Sequence, residues 1–519
     1  MAEGRIYIAD KETLDKSYEI LKRLDAKLYI GDTSVFDWKT WFESHATGEL
    51  FSTKFYNYDT TNTGIGEKIN DSEGLTCEPS TDTIKGKDDF ATHNAFWHID
   101  CNFTINDNGL KVPTAIEGQP EFSRYGKKDV GVLTPPLYWG EEITSDGYIK
   151  HFSDKEHPTS RPDLTLTLCP WCKDMKGNPM PYGIVTKYYA TELDGLLYSS
   201  SGEPLCNFVS ENIAHTKLQK KGSMYLGSGS ERTAYLKNFL WIKYATLNSQ
   251  KYFKGNTQHS EQFAAAESID GVKYIPLLKD QASKFYVGDT VSVGEAGENA
   301  ATSTDRGKDY MRNIADKVRI TKIEEIDSQK VAVYLDIVSP FDVTTTTYIS
   351  TMPLHSGQTD KVLGSDGSMT SNTDGKHSFK IQGVEDGVGA YYLCQNEIVN
   401  KETSEKSVLY NRNGGDFATD IDSISSKWKK TFDFTNPGSP DLWIGEENVD
   451  LETGSSFVKT VGNGDSVGTG DRYYWGGTAT GLREKLERGY LWNWSGAGLS
   501  YVTGGGGLSS ALWSCGLCV

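Results

Sequence analysis

Glycine, proline and clusters of Asn, Asp, Ser and Thr interrupt this chain at short intervals, and 53 of its 519 residues are glycine. Such punctuation leaves room for short strands joined by turns and little room for long helices. Between the breaks stand β-prone runs: 131–138, 164–169 and 183–189, then Phe285-Tyr-Val287, Thr290-Val-Ser-Val293, Val318-Arg-Ile-Thr321 and Val331-Ala-Val-Tyr-Leu335. The reading is a multidomain, mainly β protein with some α.

Two segments break this pattern. Leu14, Tyr18, Leu21, Leu24 and Leu28 recur at three- and four-residue spacing and predict an amphipathic helix over 10–28. From Ser230 to Tyr252, the residues Tyr235, Phe239, Ile242, Ala245, Leu247 and Tyr252 share much of one helical face. Arg232, Lys237, Lys243 and Lys251 supply the polar positions of that second helix, which is expected to pack into the core. The divisions read from these patterns are an N-terminal helix (1–29), a mixed α+β attachment or spacer domain (30–270), a small antiparallel β barrel or sandwich (271–345) and a last unit (346–519). The polar stretch 294–309 is expected as a long loop of the small unit. The last unit begins after Ser339-Pro-Phe341, and 357–377 is loop-rich in composition.

The formal charge of -18 disfavours nucleic acid as a partner, because phosphates would be repelled by the chain's field. The first eleven residues include Glu3, Arg5, Asp10 and Lys11 and no apolar stretch, so no secretory signal is expected and synthesis is cytoplasmic. Eight cysteines are too sparse for a disulfide framework, and most are expected as buried thiols.

No residue from Gly489 to Val519 is charged, and the stretch holds Tyr490, Trp492, Trp494, Tyr501 and Trp513 among glycines and serines. It lacks the roughly 20 mostly apolar residues of a membrane-spanning helix, so no membrane insertion is expected. Rigid aromatics amid Gly and Ser have the chemistry of adaptable binding loops. Tyr490, Trp492, Trp494, Ser495, Tyr501 and Thr503 are the expected ligand contacts, with Ser510, Leu512 and Ser514 as further candidates. Trp443, Trp475 and Trp513 are expected in the core.

No catalytic pattern stands out, and neither a cofactor nor a metal is expected. Cys169-Pro-Trp-Cys172 has the spacing of a redox dithiol or half a zinc site, but Lys173–Pro179 reads as a turn where a redox motif wants a helix. The sequence leaves open whether this pair binds metal or forms a disulfide. Cys515-Gly-Leu-Cys518 repeats the spacing at the end of the sequence. His93, His98, Asp100 and Cys101 carry ligand atoms, but alternation would send the two histidines to opposite faces. Glu141-Glu142 reads as a solvated face.

The motifs Ser371-Asn-Thr-Asp-Gly-Lys376, Phe379-Lys-Ile-Gln-Gly-Val-Glu-Asp-Gly-Val-Gly-Ala-Tyr-Tyr392, Gly470-Asp-Arg-Tyr-Tyr-Trp475, Gly481-Leu-Arg-Glu484 and Gly489–Tyr501 occur in order. With them, the chain from about Thr351 onward resembles the C-type lectin-like domains of the formylglycine-generating (sulfatase-modifying) superfamily. The branch is the one on phage tail proteins and the targets of diversity-generating retroelements. Val388 and Ala390 stand where the family has Trp and Asn, and Gly516-Leu-Cys518 stands where it ends Gly-Phe-Arg. The family's catalytic cysteine pair and the calcium motifs of animal lectins have no counterpart. Phe239-Leu-Trp-Ile-Lys-Tyr-Ala-Thr-Leu-Asn-Ser-Gln250 is similar to a helix of phage and prophage tail proteins.

The resemblance implies a C-terminal α+β lectin-like domain and a phage tail receptor-binding protein, not an enzyme. It would be a homotrimer in the virion, bound to other tail proteins, and would present 490–514 to a bacterial surface glycan or protein. That surface is where sequence diversification falls in the retroelement systems. The competing readings are a structural tail or baseplate component and a tail-borne glycan-degrading or dithiol enzyme. A bacterial surface adhesin shares the fold but needs a signal peptide.

Overall fold

The computed structural model describes residues 31–227, 229–296, 303–412, 424, 426, 428–436, 441–476, 480–487 and 495–519. The expected helix at 10–28 lies outside these residues. Within them the protein is mainly β, in several sheets with few helices.

Helix α1 (Trp38–His45) starts where the Asp37 side chain accepts the Thr40 amide, and it buries Trp38 and Phe42. Two antiparallel sheets follow. One orders its strands Glu67–Asn70, Phe51–Tyr56, Gly147–Ser153, Tyr138–Ile143, Thr167–Leu168, and the other Lys111–Ile116, Ile99–Ile105, Asp129–Thr134, Gly183–Thr186. The expected strand at 164–169 shrinks to two residues. The Leu164 amide bonds the Arg161 carbonyl in a turn, and Cys169 already leads into the 3-10 turn Pro170–Cys172.

Helix α2 (Glu211–Gln219) begins at Ser210, whose hydroxyl accepts the Ile213 amide. Helix α3 (Gly229–Tyr244) packs into the core, as expected of it, but is buried on every side and not along one face. It ends eight residues before Tyr252, at Ala245 with φ of 48°, and of its sixteen residues only Glu231 escapes full burial. Arg232, Lys237 and Lys243 do not face water. Each is buried because a carboxylate meets it: Asp386 at 2.6 Å, Glu447 at 2.7 Å and Asp366 at 2.8 Å respectively. An unpaired charge in that position would carry a large desolvation cost.

Residues 262–351 form a six-stranded antiparallel sheet, ordered Gln262–Ala264, Thr347–Thr351, Thr290–Glu295, Ala315–Glu325, Lys330–Leu335, Tyr274–Leu278. It has its own core of Ile275, Leu277, Val291, Val293, Ile320, Val333 and Ile349. Phe285-Tyr-Val287 is not a strand here. It turns back after a short helix, with the Phe285 amide on the Ala282 carbonyl and the Phe285 ring in that core.

The last unit is a nine-stranded sheet. Its path is Trp428–Thr435, Lys406–Arg412, Tyr391–Lys401, Gly481–Glu487, Val502–Thr503, Arg472–Tyr474, Asp441–Val449, Ser456–Gly462, and Cys515–Gly516 joins Tyr391–Lys401 in parallel. Phe379, Ile381, Val384 and Leu499 pack in one core with Phe96, Phe152, Trp171, Tyr235 and Phe239. Helix α3 is thus the element on which the first and last parts of the chain meet. Among the described residues no helix is long and apolar enough to cross a membrane.

Candidate functional site

The uncharged C-terminal stretch enters the described structure at Ser495. Its backbone is held from outside. The Asp471 carboxylate accepts the Gly498 and Ser500 amides and the Gln250 side-chain amide, each at 2.8 Å, and the Ser249 hydroxyl accepts the Leu499 amide at 2.9 Å. Burial pushes Asp471 up to about 7 against those donors. Val502–Thr503 then pairs with Gly481–Glu487 on one side and Arg472–Tyr474 on the other.

After Thr503 the chain loops outward and returns as Cys515–Gly516. The Gly504 amide bonds the Tyr474 carbonyl at 3.0 Å, and the Gly506 carbonyl accepts the Glu484 amide at 3.3 Å. The Phe208 amide bonds the Leu512 carbonyl at 3.1 Å, and the Tyr391 amide bonds the Ser514 carbonyl at 2.6 Å. A Cβ on Gly506 would fall 1.9 Å from Glu484 Oε1, so glycine lets the loop lie directly on that carboxyl. Main-chain bonds and glycine set this loop's path, while Ser509, Ala511 and Leu512 are exposed.

The nine expected contacts separate accordingly. Tyr490, Trp492 and Trp494 lie outside the described residues. Ser495 is exposed, Ser510 is half-buried and Leu512 is 45% exposed. Tyr501, Thr503 and Ser514 are buried. The Tyr501 ring stacks on Tyr391 and packs with Leu486, Ala497 and Leu517 in the core, which removes it from any contact surface. Thr503 and Ser510 shape the loop, their hydroxyls accepting the Gly505 amide at 3.1 Å and the Gly507 amide at 3.0 Å. Trp475 and Trp513 are buried and Trp443 is half-buried beneath Arg472.

Sequence reasoning missed Tyr474, which is 37% exposed beside Gly505. Alternation in Arg472–Tyr474, with Tyr473 fully buried, was the available signal. It also missed Asp471, whose role depends on partners more than 200 residues away as well as on nearby amides.

The other constellations have structural partners. Cys169 and Cys172 are buried free thiols, with Cys172 raised to about 12 by burial, which is the reverse of an activated dithiol. Cys515 and Cys518 are buried as well. His93 bonds Glu49 at 2.9 Å, and His98 lies 2.9 Å from the Gln382 side-chain amide. Glu141 pairs with Lys150, and Glu142 lies 3.6 Å from Arg161.

Two clusters gather ligand-type atoms closely enough for a cation: Cys77, Asp88 and Asp366, and Cys394, Glu397 and Glu487. In each, a lysine ammonium already fills the position an ion would take. Lys243 lies 3.0 Å from Asp88 and 2.8 Å from Asp366, and Lys485 lies 2.6 Å from Glu397 and 2.7 Å from Glu487. These carboxylates hold both lysines above the usual ammonium range despite burial.

Compared with known proteins, the chain matches no family model and no curated protein.

Proposed function

We propose that this chain is a phage tail receptor-binding protein whose last unit is a C-type lectin-like domain that recognises a bacterial surface glycan or protein. The observation that carries the reading is the 504–512 loop. Its path is set by backbone bonds to Tyr474, Glu484 and Phe208, while Ser509, Ala511 and Leu512 face solvent. A surface built this way accepts changes of side chain without a change of core, as a recognition surface open to diversification requires. The ordered motifs from Ser371 to Tyr501 support the lectin-like assignment. In this reading the first part of the chain attaches to other tail proteins, and three copies act together. Their avidity would exceed that of one site by roughly 10²- to 10⁴-fold.

The test is adsorption of the labelled, purified protein to a panel of bacterial strains. It is run beside a Trp492→Ala, Trp494→Ala, Leu512→Ala variant whose circular dichroism matches the parent. Selective binding by the parent and none by the variant is the expected result. Equal binding by both removes the C-terminal surface from recognition. If the parent binds no strain but binds purified virion proteins, the structural-component reading replaces this one.

A further inference from the structure

Far along the chain from the C-terminal loop, a cavity of about 480 Å³ opens between the first sheets and the 360–383 segment. Its roof is two loops stitched by main-chain bonds. The Ser80 amide donates to the Asp366 carbonyl at 2.9 Å, the Leu363 amide to the Thr81 carbonyl at 3.2 Å, and the Asp82 amide to the Met369 carbonyl at 3.0 Å. The half-open cavity is therefore a product of the fold, and its volume lies within the range of small-molecule sites.

Most of the buried charges on its wall meet an opposite charge or a hydrogen bond. Asp100 takes Lys187 at 3.0 Å and Arg124 at 2.7 Å, and Arg124 also reaches Glu117. Asp360 accepts the hydroxyls of Tyr188 and Ser201. Lys380 differs. It is 8% exposed, and its ammonium makes a single hydrogen bond, to the Val362 carbonyl at 3.0 Å, with no carboxylate in ion-pair distance among the described residues. An ammonium has three donors. Two N–H groups of a nearly buried cation thus stand at the cavity wall without protein acceptors, an arrangement that costs free energy unless something else accepts them. Burial and the neighbouring Lys187 charge push Lys380 down to about 8, as expected of a cation lacking its anion.

We infer that this cavity binds a small hydroxylated carboxylate, a sugar acid in chemical class, with the carboxylate on Lys380 Nζ. The remainder of the lining selects within that class. Six carboxylate side chains line the cavity against four basic ones, and Lys187 and Arg124 are taken by Asp100, so the wall has little positive charge left for the second charge of a dianion such as a phosphate ester. The lining carboxylates, Ser365 and backbone groups are acceptors and donors suited to hydroxyls. No Phe, Tyr or Trp lines the cavity, so it offers no platform for a stacked nucleobase. The site goes beyond the recognition surface proposed above and stands or falls independently of it.

Isothermal titration of the full chain with glucuronate, glucose, glucose 6-phosphate and N-acetylneuraminate tests the assignment. The expected result is saturable binding of at least one of the two sugar carboxylates, with glucose and glucose 6-phosphate each at least ~10-fold weaker. Lys380→Met is expected to lose ~10-fold or more in affinity. It should stay folded, because it replaces a buried charge holding one hydrogen bond with an apolar chain of similar length. Ser365→Phe, which fills the cavity from a half-buried lining position and leaves Lys380 in place, should abolish the same binding. The proposal is overturned if neither sugar acid binds at ~10 mM, if glucose binds as well as glucuronate, or if folded Lys380→Met and Ser365→Phe variants bind as the parent does.

Discussion

The Arg232 guanidinium of helix α3 lies 2.6 Å from the Asp386 carboxylate, and both side chains are almost wholly buried. The same guanidinium donates to the Glu385 carbonyl and covers the Tyr189 ring at 4.5 Å. One charge-assisted contact therefore joins the helix to the strand Val384–Asp386, about 150 residues later in sequence. It is one of several contacts, with the shared core of Phe96, Phe239 and Phe379, that join the first sheets to the last part of the chain.

Replacing Arg232 by Met should strand the Asp386 charge and destabilise the protein by about 3–5 kcal/mol. A lower urea midpoint would record it. The double variant Arg232→Met, Asp386→Leu should recover part of that loss, since a whole buried pair can be exchanged for apolar groups more cheaply than it can be halved. Equal losses in the single and double variants would mean that packing, and not the stranded charge, sets the cost.

His355 gives the protein an acid-side weakness. Its ring lies 2.9 Å from the Thr290 hydroxyl, and burial, aided by the charges of Arg319 and Lys317, pushes it down to about 3. The unfolded chain protonates this ring near pH 6.5 while the folded one does not. The site's contribution is thus complete above about pH 6.5 and is lost as pH falls toward 3. In His355→Gln, melting temperature should decline less steeply between pH 6.5 and 4. An unchanged slope would contradict a neutral buried ring.

Glu484 has the opposite sign. Neither of its carboxylate oxygens has a hydrogen-bond partner among the described residues, and burial, followed by the nearby Glu211, raises it to about 9. The folded state keeps the proton that the unfolded chain releases near pH 4.3. Stability is therefore full below that value and falls as pH rises toward 9. Glu484→Gln should raise the melting temperature at pH 8 by ~2 °C or more, and by less at pH 5. A gain that is equal at both values would rule out titration as its origin.

Tyr501 and Leu512 should separate stability from recognition. Tyr501→Ala removes a ring 1% exposed and should cost about 3–5 kcal/mol. Leu512→Ala, at 45% exposure, should stay within about 0.5 kcal/mol of the parent in the same denaturation experiment. A large loss in Leu512→Ala would assign that side chain to the fold and remove it from the recognition surface.

All eight cysteines are buried free thiols. A chromogenic disulfide reagent should find none of them before unfolding and all eight in denaturant. Rapid reaction of Cys169 or Cys172 in the native protein, tracked by Cys→Ser variants, would reopen the dithiol reading.

The mainly β character was legible from short punctuated runs because strand formation is local in pattern: alternation, β-branching and turn residues lie within a few positions of one another. Strands Thr290–Glu295, Ala315–Glu325 and Lys330–Leu335 fall where such runs stand. The charged positions of α3 were misread for a physical reason. Arg232, Lys237 and Lys243 look like a solvated helical face, and the carboxylates that bury them, Asp386, Glu447 and Asp366, arrive from 120 to 210 residues away. The same limit hid the burial of Tyr501 and the pinning of the 495–500 segment by Asp471.

The sequence by itself determined the type of structure and the uncharged C-terminal stretch, both of which follow from composition and neighbouring residues, while the state of Cys169 and Cys172 was left to the fold. Only the tertiary structure decided which aromatic rings are core and which lysines replace a cation. It alone placed Lys380 at a cavity wall without a carboxylate partner. Burial and charge pairing are properties of surfaces brought together over long distances, and the free energy of a side chain depends on those surroundings more than on its neighbours in sequence.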